Sequence, residues 1–119
     1  MQYLLLIYEA EAAFADRTDD ESKTILDGYF AFTDDLKKSG AFISSEALQP
    51  VETARSLQKR DGKLITTDGP FAETKEQLGG FYLLEAENMD EALALAARIP
   101  TVETGTIEVR PIWNVEAGR

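Results

Sequence analysis

Asp68-Gly-Pro-Phe-Ala-Glu-Thr-Lys-Glu-Gln-Leu-Gly-Gly-Phe81 lies between two apolar segments, and its reading decides how the rest of the chain is understood. It holds the Gly79-Gly80 pair, a proline and four charged residues, Asp68, Glu73, Lys75 and Glu76. Special backbone and charge on a loop held by a rigid scaffold is where binding and catalytic groups are usually displayed. Just upstream, residues 53–58 and 63–67 flank Lys59-Arg60-Asp61-Gly62. Asp-Gly between extended segments predicts an inserted hairpin over about 53–67. Just downstream, Phe81-Tyr82-Leu83-Leu84 predicts a strand.

Further out, Tyr3-Leu4-Leu5-Leu6-Ile7-Tyr8 is apolar without alternation, as in a strand covered on both faces. Helices in a two-layer domain cover one face only, so a partner subunit is a candidate cover for the other. Residues 9–17 read as a loop. Thr18-Asp19-Asp20-Glu21 matches a capping box. Ile25, Tyr29, Phe32 and Leu36 then recur at helical spacing, up to Gly40 at the C-terminal stop. Residues 41–48 predict a second strand, closed by Gln49-Pro50. Asn88 caps a second helix whose packing stripe is expected to be Leu93, Ala96 and Ala97, with Pro100 ending it. Residues 106–115 predict the last strand. Ile107, Val109 and Trp113 are expected to face the helices, with Glu108 and Arg110 on the opposite face. The order β-α-β, hairpin, β-α-β is a duplicated split βαβ pattern. It predicts one α+β domain over residues 1–119.

Composition narrows the function. The chain has 119 residues, 44% hydrophobic and 29% charged, which suits one soluble globular domain. It has no cysteine and no histidine. That excludes disulfides, thiolate nucleophiles and Cys–His zinc sites, and removes the commonest general base. The formal net charge of −10 argues against nucleic acid and against anionic membranes as partners. No secretory leader and no transmembrane run is read, so a cytoplasmic protein is expected. Phosphate-binding, dinucleotide, serine-hydrolase and zincin motifs are absent, and neither a cofactor nor a metal is expected.

Asp68 is the candidate catalytic residue. Before Gly-Pro it can bond its own turn; held at a cavity mouth beside Phe71, it would be desolvated into a usable acid or base. Glu73 and Lys75 form a solvated turn on one reading, and on the other Lys75 pairs with Glu73 or Asp68 and holds a ligand carboxylate. Gly79-Gly80 suits a bulge. Tyr8 and Tyr29 are core residues whose hydroxyls can reach a ligand. Glu108 and Arg110, two apart on one strand, share a face and a neighbour, and they need partners if that face is covered.

The same stretch carries a resemblance. Asp68-Gly69-Pro70-Phe71 followed by Ala72-Glu73-Thr74-Lys75-Glu76-Gln77-Leu78-Gly79-Gly80 resembles the signature of DGPF proteins, a branch of the YCII-related family. Leu5-Leu6-Ile7-Tyr8, Leu48-Gln49-Pro50 and Glu108-Val109-Arg110-Pro111 echo it across nearly the whole chain. The resemblance implies a ferredoxin-like α+β domain with two helices on one face of an antiparallel sheet. It further implies that two copies pair into a dimeric α+β barrel. Some members of the wider family are taken to use a His–Asp pair; with no histidine here, only Asp68 carries over by motif position. Two functions are therefore expected as rivals. One is a small-molecule enzyme of isomerase or lyase type with its site at the dimer cavity. The other is a non-catalytic binding or regulatory module, for which the resemblance suggests an extracytoplasmic-function sigma factor as partner.

Overall fold

The computed structural model describes residues 1–118. Four strands form the main sheet: β1 (Gln2–Glu9), β2 (Phe42–Ala47), β5 (Gln77–Glu85) and β6 (Thr106–Pro111). Their order is β2-β5-β1-β6, with every neighbour antiparallel. α2 (Asp19–Ser39) connects β1 to β2, and α3 (Met89–Ala96) connects β5 to β6. Each connection skips a strand, which gives the two interleaved split βαβ units of a ferredoxin-like fold. β3 (Arg55–Arg60) and β4 (Lys63–Asp68) form a separate two-stranded ribbon inserted between β2 and β5.

The local signals act as their chemistry dictates. Thr18 accepts from the Glu21 N–H at 3.1 Å, and its hydroxyl donates to the Glu21 carboxylate at 3.1 Å. Asn88 accepts from the Glu91 N–H at 2.9 Å. The ribbon turns at Asp61-Gly62, where both φ values are positive, 51° and 77°. Paired left-handed residues match the twist of the flanking strands.

Tyr3, Leu5, Ile7, Tyr82 and Leu84 project toward the helices and are buried against Phe32, Leu36, Ala92, Ala96 and Ile99. On the other face lie Leu4, Leu6, Tyr8 and Leu83, half-buried with no helix over them. Glu108 sits opposite Leu6 and Arg110 opposite Leu4, so both belong to this face. They form an ion pair with each other at 3.6 Å.

Four expectations need correcting. Residues 11–15 form a short helix, α1 (Glu11–Ala15), not a loop, because three of its five residues are alanine, the best helix former. α3 buries Ala92 and Ala96, with Met89 and Leu95 beside them; Leu93 is 49% exposed and Ala97 is exposed. The true stripe begins one residue earlier and continues to Ile99. β6 stops at Pro111, which leaves Trp113 beyond the sheet and 85% exposed. β5 begins at Gln77, so the end of the signature stretch, residues 77–81, is strand.

The radius of gyration is 16.6 Å and the extents are 49 × 49 × 19 Å. A compact chain of this length would have a radius of roughly 13–14 Å. The excess reflects a flat sheet with one helical layer and a ribbon that extends away from both.

Candidate functional site

A cavity of about 690 Å³ opens between α2 and the β2, β5, β1 side of the sheet. That volume lies in the range that encloses small organic molecules. Its walls are mainly apolar: Ile7, Phe14, Ile25, Leu26, Phe30 and Ala47 line it. Apart from Ser22, Asp34, Lys37, Ser45 and Glu46 on the lining, polar groups enter at three places.

The first is Glu9. β1 alternates Tyr3, Leu5, Ile7, Glu9 on its helix-facing side, so the strand's last inward residue is a carboxylate, 3% exposed. α1 reverses the chain and returns Arg17 to it. Arg17 Nη1 donates to Glu9 Oε1 at 2.9 Å, and Arg17 Nη2 donates to Glu9 Oε2. Thr104 donates to the same oxygen and accepts from Arg17 Nη2 at 3.1 Å. The Arg17 guanidinium lies 5.1 Å from the Phe14 ring centre. A buried charge persists when it is paired and hydrogen-bonded, and here both conditions are met. With its oxygens occupied, Glu9 is a structural anchor and not a free base.

The second and third are hydroxyl pairs. The Tyr29 and Thr101 hydroxyls are 2.5 Å apart, and those of Tyr82 and Thr33 are 2.7 Å apart. The Tyr29 and Tyr82 rings are parallel, with centres 6.4 Å apart. All four residues border the cavity. Burial raises the Tyr29 phenol above its ordinary pKa, outweighing the Thr101 hydrogen bond, and the nearby Tyr82 and Glu9 push the same way. Burial likewise raises Tyr82. Both are therefore neutral at physiological pH. Each pair holds two O–H donors and one shared bond, so each keeps one donor for a ligand.

Gly79 and Gly80 shape this wall. Ile7 pairs with Gly80 and Tyr8 with Leu78, which leaves Gly79 as the extra residue of a bulge. A Cβ on Gly80 would lie 2.8 Å from the Glu46 carbonyl oxygen, so β2 can approach β5 here only because position 80 has no side chain.

The signature turn lies elsewhere. Asp68 ends β4 with its side chain 84% exposed and ion-paired to Arg55. The expected desolvation beside Phe71 is not met within one chain, because Phe71 is itself 78% exposed. The turn is tied to the ribbon by the Gly69 N–H to Ala54 carbonyl bond at 2.7 Å. Glu73 and Lys75 are exposed and make no ion pair among the described residues, so the Lys75 pairing with Glu73 or Asp68 does not form. Phe71, Pro70 and Leu78 border a second, smaller cleft of about 460 Å³. Of the sequence candidates, Tyr29 alone reaches the larger cavity. Tyr8, Glu108 and Arg110 share the bare sheet face.

Glu9, Arg17, Thr33, Tyr82 and Thr101 escape a sequence reading as site residues. Glu9 and Arg17 fall at the two ends of a segment that reads as a loop. Arg17 meets Glu9 across 8 residues, but Thr33 meets Tyr82 across 49 and Thr101 meets Tyr29 across 72, which no local pattern encodes. Among the described residues, no cluster of three or more acidic side chains could hold a metal ion. No helix among them is long and apolar enough to cross a membrane.

This fold and its helix-side hollow define a small α+β domain with an interior able to admit a ligand. The chain belongs to the YCII-related domain family, whose model matches residues 1–116. An uncharacterized protein of Rhizobium meliloti (strain 1021) is 35% identical over 120 residues, covering 99% of this chain and 97% of that one. Among solved structures, the chain is similar to 5-chloro-2-hydroxyhydroquinone dehydrochlorinase from Burkholderia phenoliruptrix AC1100, in complex with 2,5-dihydroxybenzoquinone. The TM-score is 0.50 at 15% identity, over 95% of this chain and 94% of that one, a likeness of fold alone.

Proposed function

We propose that this chain binds an uncharged, ring-sized organic molecule bearing a carbonyl or hydroxyl oxygen, in the cavity beneath α2, and that it does so as a homodimer. One observation carries the ligand: two neutral hydroxyl pairs, Tyr29–Thr101 and Tyr82–Thr33, border one apolar hollow with a donor to spare on each. The charged lining, Glu9, Asp34 and Glu46 against Arg17 and Lys37, leaves a small negative excess that disfavours an anion. The dimer is supported by the row Leu4, Leu6, Tyr8 and Leu83, which no helix covers, and by the flat, extended shape.

If turnover accompanies binding, the geometry suits polarisation of a bound carbonyl by Tyr29, the first half of an isomerisation or elimination. Asp68 joins such chemistry only where a second copy brings it to a cavity. A turnover assay on a panel of lactones and cyclic ketones, with Asp68→Asn as control, separates the two roles. Unchanged turnover in Asp68→Asn removes Asp68 from the reaction. The regulatory alternative rests on the acidic surface and on family association, and a pull-down that recovers no sigma factor counts against it.

Binding is tested by calorimetry with phenol and benzoate as probes. Phenol is expected to bind wild type more tightly than benzoate, and Tyr29→Phe to weaken phenol several-fold. Tighter benzoate binding, or a Tyr29→Phe variant that binds phenol like wild type, overturns the reading.

A further inference from the structure

The β3–β4 ribbon is held to the domain only at its base. Among the described residues, none of the three α-helices and no strand of the main sheet packs closely on it. Two-stranded ribbons alone are marginal in water, so this one needs a surface to lie on. One of its faces carries Leu57, Lys59 and Leu64, brought together by the pairings Leu57–Thr66 and Lys59–Leu64. Leu57 is 63% exposed and Leu64 is 69% exposed. The ribbon is also the one locally basic part of an acidic chain: Arg55, Lys59, Arg60 and Lys63 against Asp61 and Asp68. Its own domain carries the complement, on a surface the ribbon does not touch. Along the outer face of α2, Leu26 is 52% exposed and Phe30 is 59% exposed, and both stand at the rim of the cavity. Asp27 and Asp34, three before and four after Phe30, share that face with Lys23 and Lys37, of which Lys37 lies over the Phe42 ring, and the two carboxylates make no ion pair among the described residues.

We infer that in the homodimer each ribbon reaches across to its partner and lays Leu57 and Leu64 over the partner's Leu26 and Phe30, with Lys59 beside Asp27 and Asp34, roofing the partner's cavity. The ribbon strands are six extended residues long, about 20 Å. A second copy is favoured over a foreign protein because the chain itself supplies both halves of the match, and twofold symmetry lets both ribbons act at once. The ligand site is then shared, with two apolar side chains of its roof coming from the other chain.

This rests on the proposed dimer, and the test separates the two. The native chain has no cysteine, so Phe30→Cys and Leu64→Cys proteins can be mixed and oxidised cleanly. A disulfide joining one variant to the other is expected, while neither variant alone should cross-link appreciably. A dimer by light scattering that gives no mixed disulfide, or cross-links only through Leu64→Cys with itself, overturns the ribbon placement while the dimer stands. A monomer by light scattering overturns both. In a second measurement, Leu57→Ser/Leu64→Ser is expected to leave phenol binding about tenfold weaker. Unchanged affinity contradicts the shared roof.

Discussion

Two hollows among the described residues differ in what built them. The cavity beneath α2 is walled by core elements, and its buried ionised groups are fully bonded, Glu9 with Arg17 and Thr104, while Asp34, Lys37 and Glu46 on its lining are exposed. The cleft beside the signature turn is walled by a loop and the foot of a ribbon, and its nearest ion pair, Arg55–Asp68, is open to water on both sides. Pro70 and Phe71 of the conspicuous turn border the second hollow, but the buried and bonded polar groups border the first. A glycine-proline turn with charges is easy to see because it is local. A buried network assembled from β1, α2, β5 and the turn before β6 is nearly silent in sequence.

The contrast is sharpest in stability. Glu9→Gln leaves the Arg17 guanidinium buried without its counter-charge, and removing one partner of a buried pair typically costs about 3–5 kcal/mol. Urea denaturation is expected to show a loss of that order. Asp68→Asn at the exposed pair should change stability by no more than about 0.5 kcal/mol. Equal effects from the two substitutions would erase the distinction drawn here. Next in size is Gly80→Ala, which places a methyl group 2.8 Å from the Glu46 carbonyl oxygen. It is expected to destabilise by about 1–3 kcal/mol and to loosen β2, with faster amide exchange along residues 42–47.

A smaller effect is read from the tyrosines. Four are present, and burial raises the pKa of Tyr29 and of Tyr82 above the ordinary value of 10.0. A folded-state pKa above the unfolded one means the native state holds its proton more firmly. The associated stability is complete below pH 10 and is lost as pH climbs through the folded pKa values. Absorbance titration near 295 nm should show Tyr29 and Tyr82 ionising later than an unperturbed phenol, with the folding midpoint falling in the same range. Ordinary titration of both would contradict their burial at the cavity wall.

Much of the fold was legible in the sequence because its signals are local. The Thr18 and Asn88 caps, the Asp61-Gly62 turn and the apolar run of β1 each dictate geometry within a few residues. The bulge at Gly79 was legible for the same reason. Trp113 was misplaced because alternation was carried past Pro111, where the ladder ends. Leu93 was misplaced because a short alanine-rich helix offers little contrast between its faces. The site was harder. Tyr29 could be nominated from its place on a buried helix, but its hydroxyl partner Thr101 lies 72 residues away. Glu9 and Arg17 become a pair only once α1 turns the chain between them.

The direct test of which hollow holds the ligand is a phenol titration followed by residue-resolved NMR. Saturable shifts at Tyr29, Thr33, Tyr82 and Thr101, with residues 68–78 left unmoved, are the expected result. Shifts confined to Asp68, Phe71 and their neighbours, with the helix-side hydroxyls silent, would contradict the assignment and return the site to the signature turn.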